Sequence, residues 1–342
     1  MKAIIYNRYG GPEVLESQEI PDPKPKSHEV LIKVESISLN PVDAKARQGG
    51  FKPISNLLRF PRTTGTDFSG AITEIGKNVS GFKVGDSVYG WSNPLVNNGS
   101  ASEMLTISEK SIALAPNNIN LTDVPALPCG ALTSLIALRD LAPIRDGHKI
   151  LINGSSGGTG TMALQVAKIF GGEVTAVTSS RNSERIMNDF EPDHIIDYTK
   201  NNFIESNNTY DVIFDVQGNK SFNEVEKCLT ANGIYITTQP NIYNSIDFAK
   251  SLLSRKKSKI VICRSKTSDL NHIRIWVEEG KIKPVIEKVY EFDQFKEAYE
   301  HLATGRVKGK LILKINWGLI YFSQDPLILL LTFVELLEKD LV

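Results

Sequence analysis

The segment Lys149–Gly160 reads KILINGSSGGTG. Ile150, Leu151 and Ile152 make its first part an apolar run of the kind that forms a buried strand. Gly154, Gly157 and Gly160 then recur at every third position. A helical pattern follows over Gly160–Phe170, with Met162, Val166 and Ile169 on one face and Ala163 and Ala167 beside it. Strand, glycine loop and helix in that order are the context a phosphate-binding turn requires. Glycine lets the backbone turn tightly and puts no Cβ between it and a ligand. The helix start presents unpaired N–H groups and the positive end of its dipole to a diphosphate. On this reading Gly154, Ser155, Ser156, Gly157, Gly158, Thr159 and Gly160 form a cofactor loop, with the three hydroxyls as added donors. The common G-x-G opening is missing, so the loop taken alone leaves open a glycine-rich turn that binds nothing.

The surrounding pattern favours the cofactor. Downstream, strands are expected at Glu173–Thr178, His194–Asp197, Tyr210–Val216, Gly233–Thr238 and Lys259–Cys263. Helices are expected between them at Asn182–Phe190, Ser221–Leu229 and Ser245–Leu253. Strands alternating with helices imply a parallel, doubly wound sheet. Upstream, residues 1–110 read mostly as strand: Val30–Leu39 is β-branched and partly alternating, and Gly70–Gly76 and Gly85–Trp91 are short strands between turns. Short strands with frequent turns suggest a small barrel-like domain. Two helices, Asp269–Glu279 and Asp293–Thr304, and a strand, Lys310–Ile315, close the pattern and are expected to return to that first domain.

Cofactor choice is read at the end of the second strand, where a site preferring NAD carries a carboxylate for the ribose 2′-hydroxyl. Here Thr178–Asn182 reads TSSRN, with no acidic residue. Arg181 can pair with a 2′-phosphate, and Ser179 or Ser180 can hydrogen-bond it, so NADP(H) is the expected cofactor. The alternative is that Arg181 only faces water.

Composition bounds the rest. With 342 residues, two domains are expected. Lys and Arg number 39 and Asp and Glu 39, so no net field draws in nucleic acid or an anionic membrane. The basic run Arg255–Lys259 (RKKSK) is read as a solvated turn before a strand. Cys129, Cys228 and Cys263 are dispersed and odd in number, which implies no disulfide framework and fits a reducing, cytoplasmic setting. The N-terminus turns polar too early for a signal peptide. Leu327–Leu337 (LILLLTFVELL) is too short for a membrane span and is read as part of an apolar C-terminal extension, 317–342, that packs on the body or on another subunit, with a membrane-surface anchor as the alternative. A homodimer through Lys259–Cys263 as a sheet-edge strand is possible on this pattern.

At this point the sequence resembles the zinc-independent quinone oxidoreductase branch of the medium-chain dehydrogenase/reductase superfamily, including its alkenal/enone reductases. The resemblance spans residues 1–315 and rests on Leu39–Asp43 (LNPVD), Gly65–Gly70 (GTDFSG), Gly81–Val88 (GFKVGDSV), Leu127–Thr133 (LPCGALT), the glycine loop and Lys308–Leu313 (KGKLIL). It implies an α/β protein: a GroES-like β-barrel catalytic domain from 1–120 and 265–316, and a Rossmann NADP(H)-binding domain with a doubly wound parallel sheet over 121–264. An active-site cleft would lie between them. Zinc-dependent relatives need Cys and His ligands on separate segments. Here Asn40 stands at the first position, Thr66-Asp67 replaces the His-Glu pair, and Cys129 alone falls where some zinc enzymes place a ligand. No metal is therefore expected.

The resemblance implies hydride transfer from NADPH to a quinone or an α,β-unsaturated carbonyl, acceptors that need no Lewis acid. The cleft residues carried over are Asn40, Asp43, Lys45, Thr66 and Asp67. Asn40 would donate to the substrate oxygen or the nicotinamide ribose, Lys45 would stabilise a developing enolate, and Asp43 would orient it. Each has a plainer alternative: a loop hydrogen bond, a solvent-facing lysine, a buried structural carboxylate. Phe51 stands where relatives often carry a tyrosine, leaving solvent as the proton source. Further cofactor contacts carried over are Thr133, Tyr198, Gly218, Thr238 and, for the 2′-phosphate, Lys310. The competing readings are a zinc-free alcohol or ketone dehydrogenase on the same fold, and an NADPH-binding sensor or nucleic-acid-binding module with little turnover.

Overall fold

The β-branched run at Glu29–Leu39 becomes the organising strand of the first domain. The computed structural model describes residues 1–51, 60–94, 99–239, 246–248, 251 and 254–315. Its first strands are β1 (Lys2–Tyr6), β2 (Leu15–Glu19), β3 (Glu29–Leu39), β4 (Arg62–Thr63), β5 (Asp67–Ile75), β6 (Ser87–Trp91), β7 (Met104–Ser108) and β8 (Ile112–Leu114). β3 pairs antiparallel with both β5 and β7, β5 with β6, and β6 with β8. Two register shifts in the β3–β5 ladder bend the sheet round its core. Val30, Ile32, Val34, Ile37 and Leu39 fill that core with Phe68, Ile72, Val88, Leu105 and Ile107. A short helix, α1 (Pro41–Arg47), leaves the end of β3. Its start is fixed by Pro41 and by a capping box in which Asn40 and Asp43 satisfy each other's backbone N–H groups.

The second domain follows α2 (Pro128–Leu135), which continues as a six-residue π-turn over Ile136–Leu141. The run Val124–Leu141 is long and apolar enough to cross a bilayer, but 78% of it is buried inside the protein, where Leu132, Ala137 and Leu138 are core. Then come β9 (Lys149–Asn153), α3 (Gly158–Ile169), β10 (Glu173–Thr178), α4 (Ser180–Phe190), β11 (His194–Asp197), β12 (Tyr210–Asp215), α5 (Phe222–Val225), β13 (Leu229–Thr237) and β14 (Lys257–Ile260). The sheet is parallel, in the order β11-β10-β9-β12-β13-β14. Strand order reverses between β9 and β12, and the crevice beyond the carboxyl ends there is where such sheets bind ligands. The glycine loop sits at that point.

The chain then returns. After α6 (Thr267–Glu278), β15 (Ile286–Tyr290) and α7 (Phe295–Ala303), β16 (Lys310–Lys314) pairs antiparallel with β3, completing a seven-stranded sheet. The Tyr89 hydroxyl on β6 donates to the Leu270 carbonyl on α6 at 2.7 Å, tying the returning segment to the first sheet.

Three expectations are adjusted. The helix expected over Ser221–Leu229 is only α5 and a 3-10 turn, because Leu229 already pairs with Tyr210 as strand. The last Rossmann strand is Lys257–Ile260 rather than Lys259–Cys263, since its ladder with β13 ends at Ile260. The basic run at Arg255–Lys259, expected as a solvated turn before a strand, already enters β14 at Lys257, and its lysines are engaged: Lys256 Nζ donates to the Glu226 carbonyl at 2.7 Å, Lys257 Nζ to that of Ser251 at 3.1 Å, and Lys259 Nζ to that of Leu141. Most of Ser245–Leu253 and all of 317–342 lie outside the described residues.

Candidate active site

The glycine loop has the shape its sequence implies. Gly154 has φ +91°, a left-handed conformation that favours glycine. A Cβ at Gly160 would lie 2.1 Å from the Gly154 carbonyl oxygen, so the loop could not close on α3 with any other residue there. Gly157, by contrast, faces open space, with nothing within 4 Å of a Cβ. The loop is braced from below: Asn153 Nδ2 donates to Asp215 Oδ1 at 2.7 Å and to Asn219 Oδ1 at 2.9 Å. Asp215, fully buried at the end of β12, also accepts from the Gly218 and Lys220 amides and the Tyr235 hydroxyl. Burial nonetheless pushes its carboxyl above the usual range.

These residues fit a dinucleotide: an open glycine edge, a helix start, and two arginines on one face of α4. Arg185, which the sequence reading passed over, reaches back to the Ser156 carbonyl at 3.1 Å. It stands four residues after Arg181, the spacing that stacks side chains on one helix face, and that spacing was the available signal. Arg181 itself is exposed. Tyr198 is exposed and anchored by its N–H to the Thr178 carbonyl at 3.0 Å. Gly218 has φ +66°, and Thr238, one residue past β13, donates its hydroxyl to the Val216 carbonyl at 2.9 Å. Thr133 is buried in α2.

Two expected hydroxyl donors are already engaged. Ser155 is fully buried and donates to the Val177 carbonyl at 2.9 Å, so it shapes the loop from behind. Ser180 donates to Asp197, a carboxylate that β11 brings beside the TSSRN turn and that no reading of the turn alone could place there. Donation from the Ser180 and Thr199 hydroxyls holds the Asp197 carboxyl well below the usual range. Ser179 caps α4 and accepts from Asn182 Nδ2 at 3.2 Å.

Folding gathers Asn40, Thr66 and Asp67 with Lys310. Asn40 Nδ2 donates to Asp67 Oδ2 at 2.8 Å and to Thr66 Oγ1 at 3.0 Å, and Ser38 Oγ donates to Asp67 Oδ2 at 3.0 Å. The Cys129 amide at the start of α2 donates to Asp67 Oδ1 at 2.8 Å. Lys310 Nζ donates to Asn40 Oδ1 and, at 3.0 Å, to Asp67 Oδ2. Asp67 is fully buried and Lys310 is 4% exposed. Lys310 is therefore corrected from a 2′-phosphate ligand to the cation of this cluster. Its stem crosses Gly158, where a Cβ would meet Lys310 Cδ at 2.4 Å. Asn40 is corrected too: its amide protons are spent inside the cluster rather than offered to a ligand.

Asp43 does not orient Lys45. Its Oδ2 accepts the Asn40 amide at 2.8 Å, and its Oδ1 is buried without a hydrogen-bond partner. Burial raises its carboxyl to about 7. Lys45, half-buried, instead donates to Gln239 Oε1 across the interdomain cleft at 3.2 Å and lies 5.6 Å over the Phe51 ring.

A zinc ion does not fit this donor set. An amide, a hydroxyl and a carboxylate already paired with a buried ammonium offer no thiolate or imidazole for it. Among the described residues, no three His, Cys, Asp or Glu side chains converge as ligands.

The raised Asp43 value makes a stability prediction. Between the ordinary carboxyl value of 3.8 and about 7, folded protein keeps a proton that the unfolded chain has released. Stability from this group is thus fully present below pH 4 and lost as pH rises through 7. The urea midpoint should fall from pH 5 to pH 8, and Asp43→Asn should flatten that fall; an unchanged slope in the variant would rule the assignment out.

Comparison with known proteins agrees with this architecture. Residues 26–127 match the alcohol dehydrogenase GroES-like domain, and residues 190–313 match the zinc-binding dehydrogenase family. The chain is 32% identical to the chloroplast envelope quinone oxidoreductase homolog of Arabidopsis thaliana, over 92% of this chain and 98% of that one. It is 31% identical to the NADPH-dependent alkenal/one oxidoreductase of the same plant, over 92% and 79%. The quinone oxidoreductase structure from Coxiella burnetii superposes with a TM-score of 0.85 at 28% identity, covering 92% of this chain and 99% of that one. The chain belongs to the medium-chain dehydrogenase/reductase superfamily, among its NAD(P)H-dependent quinone oxidoreductases and alkenal/one reductases.

Proposed function

We propose that this protein transfers hydride from NADPH to a quinone or an α,β-unsaturated carbonyl. The observation that carries the reading is the buried Asn40–Asp67–Lys310 cluster. Where zinc-dependent relatives place metal ligands, this chain places an ammonium locked to a carboxylate and an amide. A fixed ammonium polarises a carbonyl far less than a bound metal, so acceptors that are already electrophilic are favoured. NADPH, when bound, supplies the hydride.

The chain's own residues then position and stabilise. Lys45 is the cation placed on the cleft side, bridged to Gln239 of the other domain. On an acceptor bound between the two domains, its ammonium stabilises the oxygen that gains charge. The Asn40–Asp67–Lys310 cluster holds the floor of that cleft and links it through the Lys310 stem to Gly158 of the cofactor loop. Asp43 is sealed behind Asn40, which leaves solvent as the proton source.

The preference for NADPH rests on Arg181, exposed at the rim where a 2′-phosphate would sit, with Arg185 anchored behind it. The nearby Asp197 is engaged by Ser180, Thr199 and, at 3.4 Å, Lys200.

NADPH oxidation screened against quinones, 2-alkenals and simple ketones tests the reading. Turnover with the first two classes is expected; turnover confined to ketones would replace it with a ketone reductase. Lys45→Ala should lower kcat roughly 100-fold while leaving the KM for NADPH within a factor of about two. Arg181→Ala should raise the KM for NADPH by roughly 10-fold or more, the loss of one charge-assisted pair, with NADH kinetics unaltered. Equal effects on both cofactors would remove Arg181 from 2′-phosphate recognition.

A further inference from the structure

Lys45 and Gln239 meet across the cleft although 194 positions separate them in the chain. Lys45 Nζ donates to Gln239 Oε1 at 3.2 Å, and the Phe51 ring lies 5.6 Å from the ammonium. Gln239 stands two residues past β13, at the carboxyl end of the parallel sheet. Each of the two side chains is laid over a glycine. A Cβ at Gly50 would lie 2.6 Å from Lys45 Cγ, so the lysine stem runs along that residue. A Cβ at Gly218 would collide with Gln239 Cγ, and Gly218 has φ +66°, so the glutamine stem runs along backbone that favours glycine. Gln239 is also held independently of Lys45: its amide donates to the hydroxyl of fully buried Thr237 at 3.2 Å. Gly218 in turn donates its amide to Asp215 Oδ1 at 2.9 Å.

We propose that Gln239 is a positioning residue: its side-chain oxygen holds the Lys45 ammonium where the acceptor's oxygen gains charge. This rests on the role given to Lys45 above. A lysine is a point charge on a flexible four-carbon stem, with three rotatable donors. Unheld, the stem spreads over many rotamers, and ordering it costs free energy. A donor that is already aimed stabilises developing charge without reorganising at the moment of reaction. Gln239 takes one of the three donors, and an acceptor oxygen can take another. The chemistry of the partner suits this task. An amide oxygen attracts the ammonium without neutralising it, whereas a carboxylate at the same place would form an ion pair and cancel much of the field that an enolate needs.

The contact also registers one domain against the other. Thr238 donates its hydroxyl to the Val216 carbonyl at 2.9 Å, so the turns after β12 and β13 form one hydrogen-bonded unit. Gln239 is the part of that unit that reaches Lys45. The unit belongs to the domain with the glycine loop, so the ammonium takes its position from the cofactor's domain as well as from its own helix. A hydride donor held by one domain and a charge stabiliser rooted in the other must agree to within about 1 Å for full rate. Gln239 supplies that agreement.

The test compares the full-length protein with Gln239→Met, which keeps the side-chain length and removes the acceptor oxygen, and with Gln239→Ala as a second variant. The kcat with NADPH and menadione, or with trans-2-hexenal, should fall about 10-fold, while the Kd for NADPH stays within a factor of about two. In a Lys45→Ala background the same substitutions should cost less than about twofold further, the mark of two residues acting as one unit. In the resting protein, with no acceptor present, acetic anhydride should modify Lys45 severalfold faster in either variant, with modification of the exposed Lys24 unchanged. Equal losses in both backgrounds, or a weakened Kd for NADPH with kcat intact, overturn the proposal, and so does an unchanged rate of modification at Lys45. The modification needs no acceptor, so it fails only if the Gln239 contact is wrong. A Lys45→Ala enzyme at the wild-type rate instead refutes the role of Lys45, and the proposal with it.

Discussion

The buried ion pair between Lys310 and Asp67 is the contact on which the site's architecture turns. Each charge costs several kcal/mol to remove from water, and attraction repays this only with good geometry and further hydrogen bonds. Asp67 has them: besides Lys310 it accepts from Asn40, Ser38 and the Cys129 amide. Those donors come from the end of β3, the cap of α1 and the start of α2, and Lys310 comes from β16. One carboxylate thus fixes elements of both domains relative to each other. The pair is weak evidence for stability and strong evidence for placement, since losing either partner strands a charge in the core.

Much of the fold could be read from residue patterns because its determinants are local. The glycine loop, the apolar stretch of β9 and the helical face of α3 each lie within a dozen residues, and steric needs at Gly154 and Gly160 impose the turn directly. The alternation of strand and helix through β14 is a succession of such local signals. What the sequence could not reveal was convergence. Lys310 was read as a phosphate ligand because a lysine near a return strand carries no mark of which oxygen it will meet. Asp197 lay one strand away from the turn it joins, and Gln239 is in another domain from Lys45. Arg185 could have been found, because its spacing from Arg181 is a helix repeat.

The two ends of the cofactor crevice are built on different principles. At the glycine end the protein excludes side chains: Gly157 is open, Ser155 turns its hydroxyl inward, and Asp215 organises the backbone of the following loops from beneath. At the other end, beyond β10, it supplies charge on a helix: Arg181 is exposed, Arg185 reaches the Ser156 carbonyl, and the Asp197 carboxylate is held by the Ser180 and Thr199 hydroxyls. In dinucleotide-binding folds of this kind, backbone shape serves the diphosphate common to all such cofactors, and side chains after the second strand serve the ribose that differs between them.

The Lys310–Asp67 pair also sets a timetable. Asp67 leaves the ribosome 243 residues ahead of its cation. At about 5–20 residues per second that is a wait of roughly 12–50 s. Through it the first sheet also lacks β15 and β16, which arrive with Lys310. The parallel sheet, whose strands all lie within 149–260, has no such debt to later sequence. The domain that begins the chain is thus the last to be completed, and a nascent chain stalled before residue 310 carries a finished cofactor fold beside a barrel whose central carboxylate has no counter-charge.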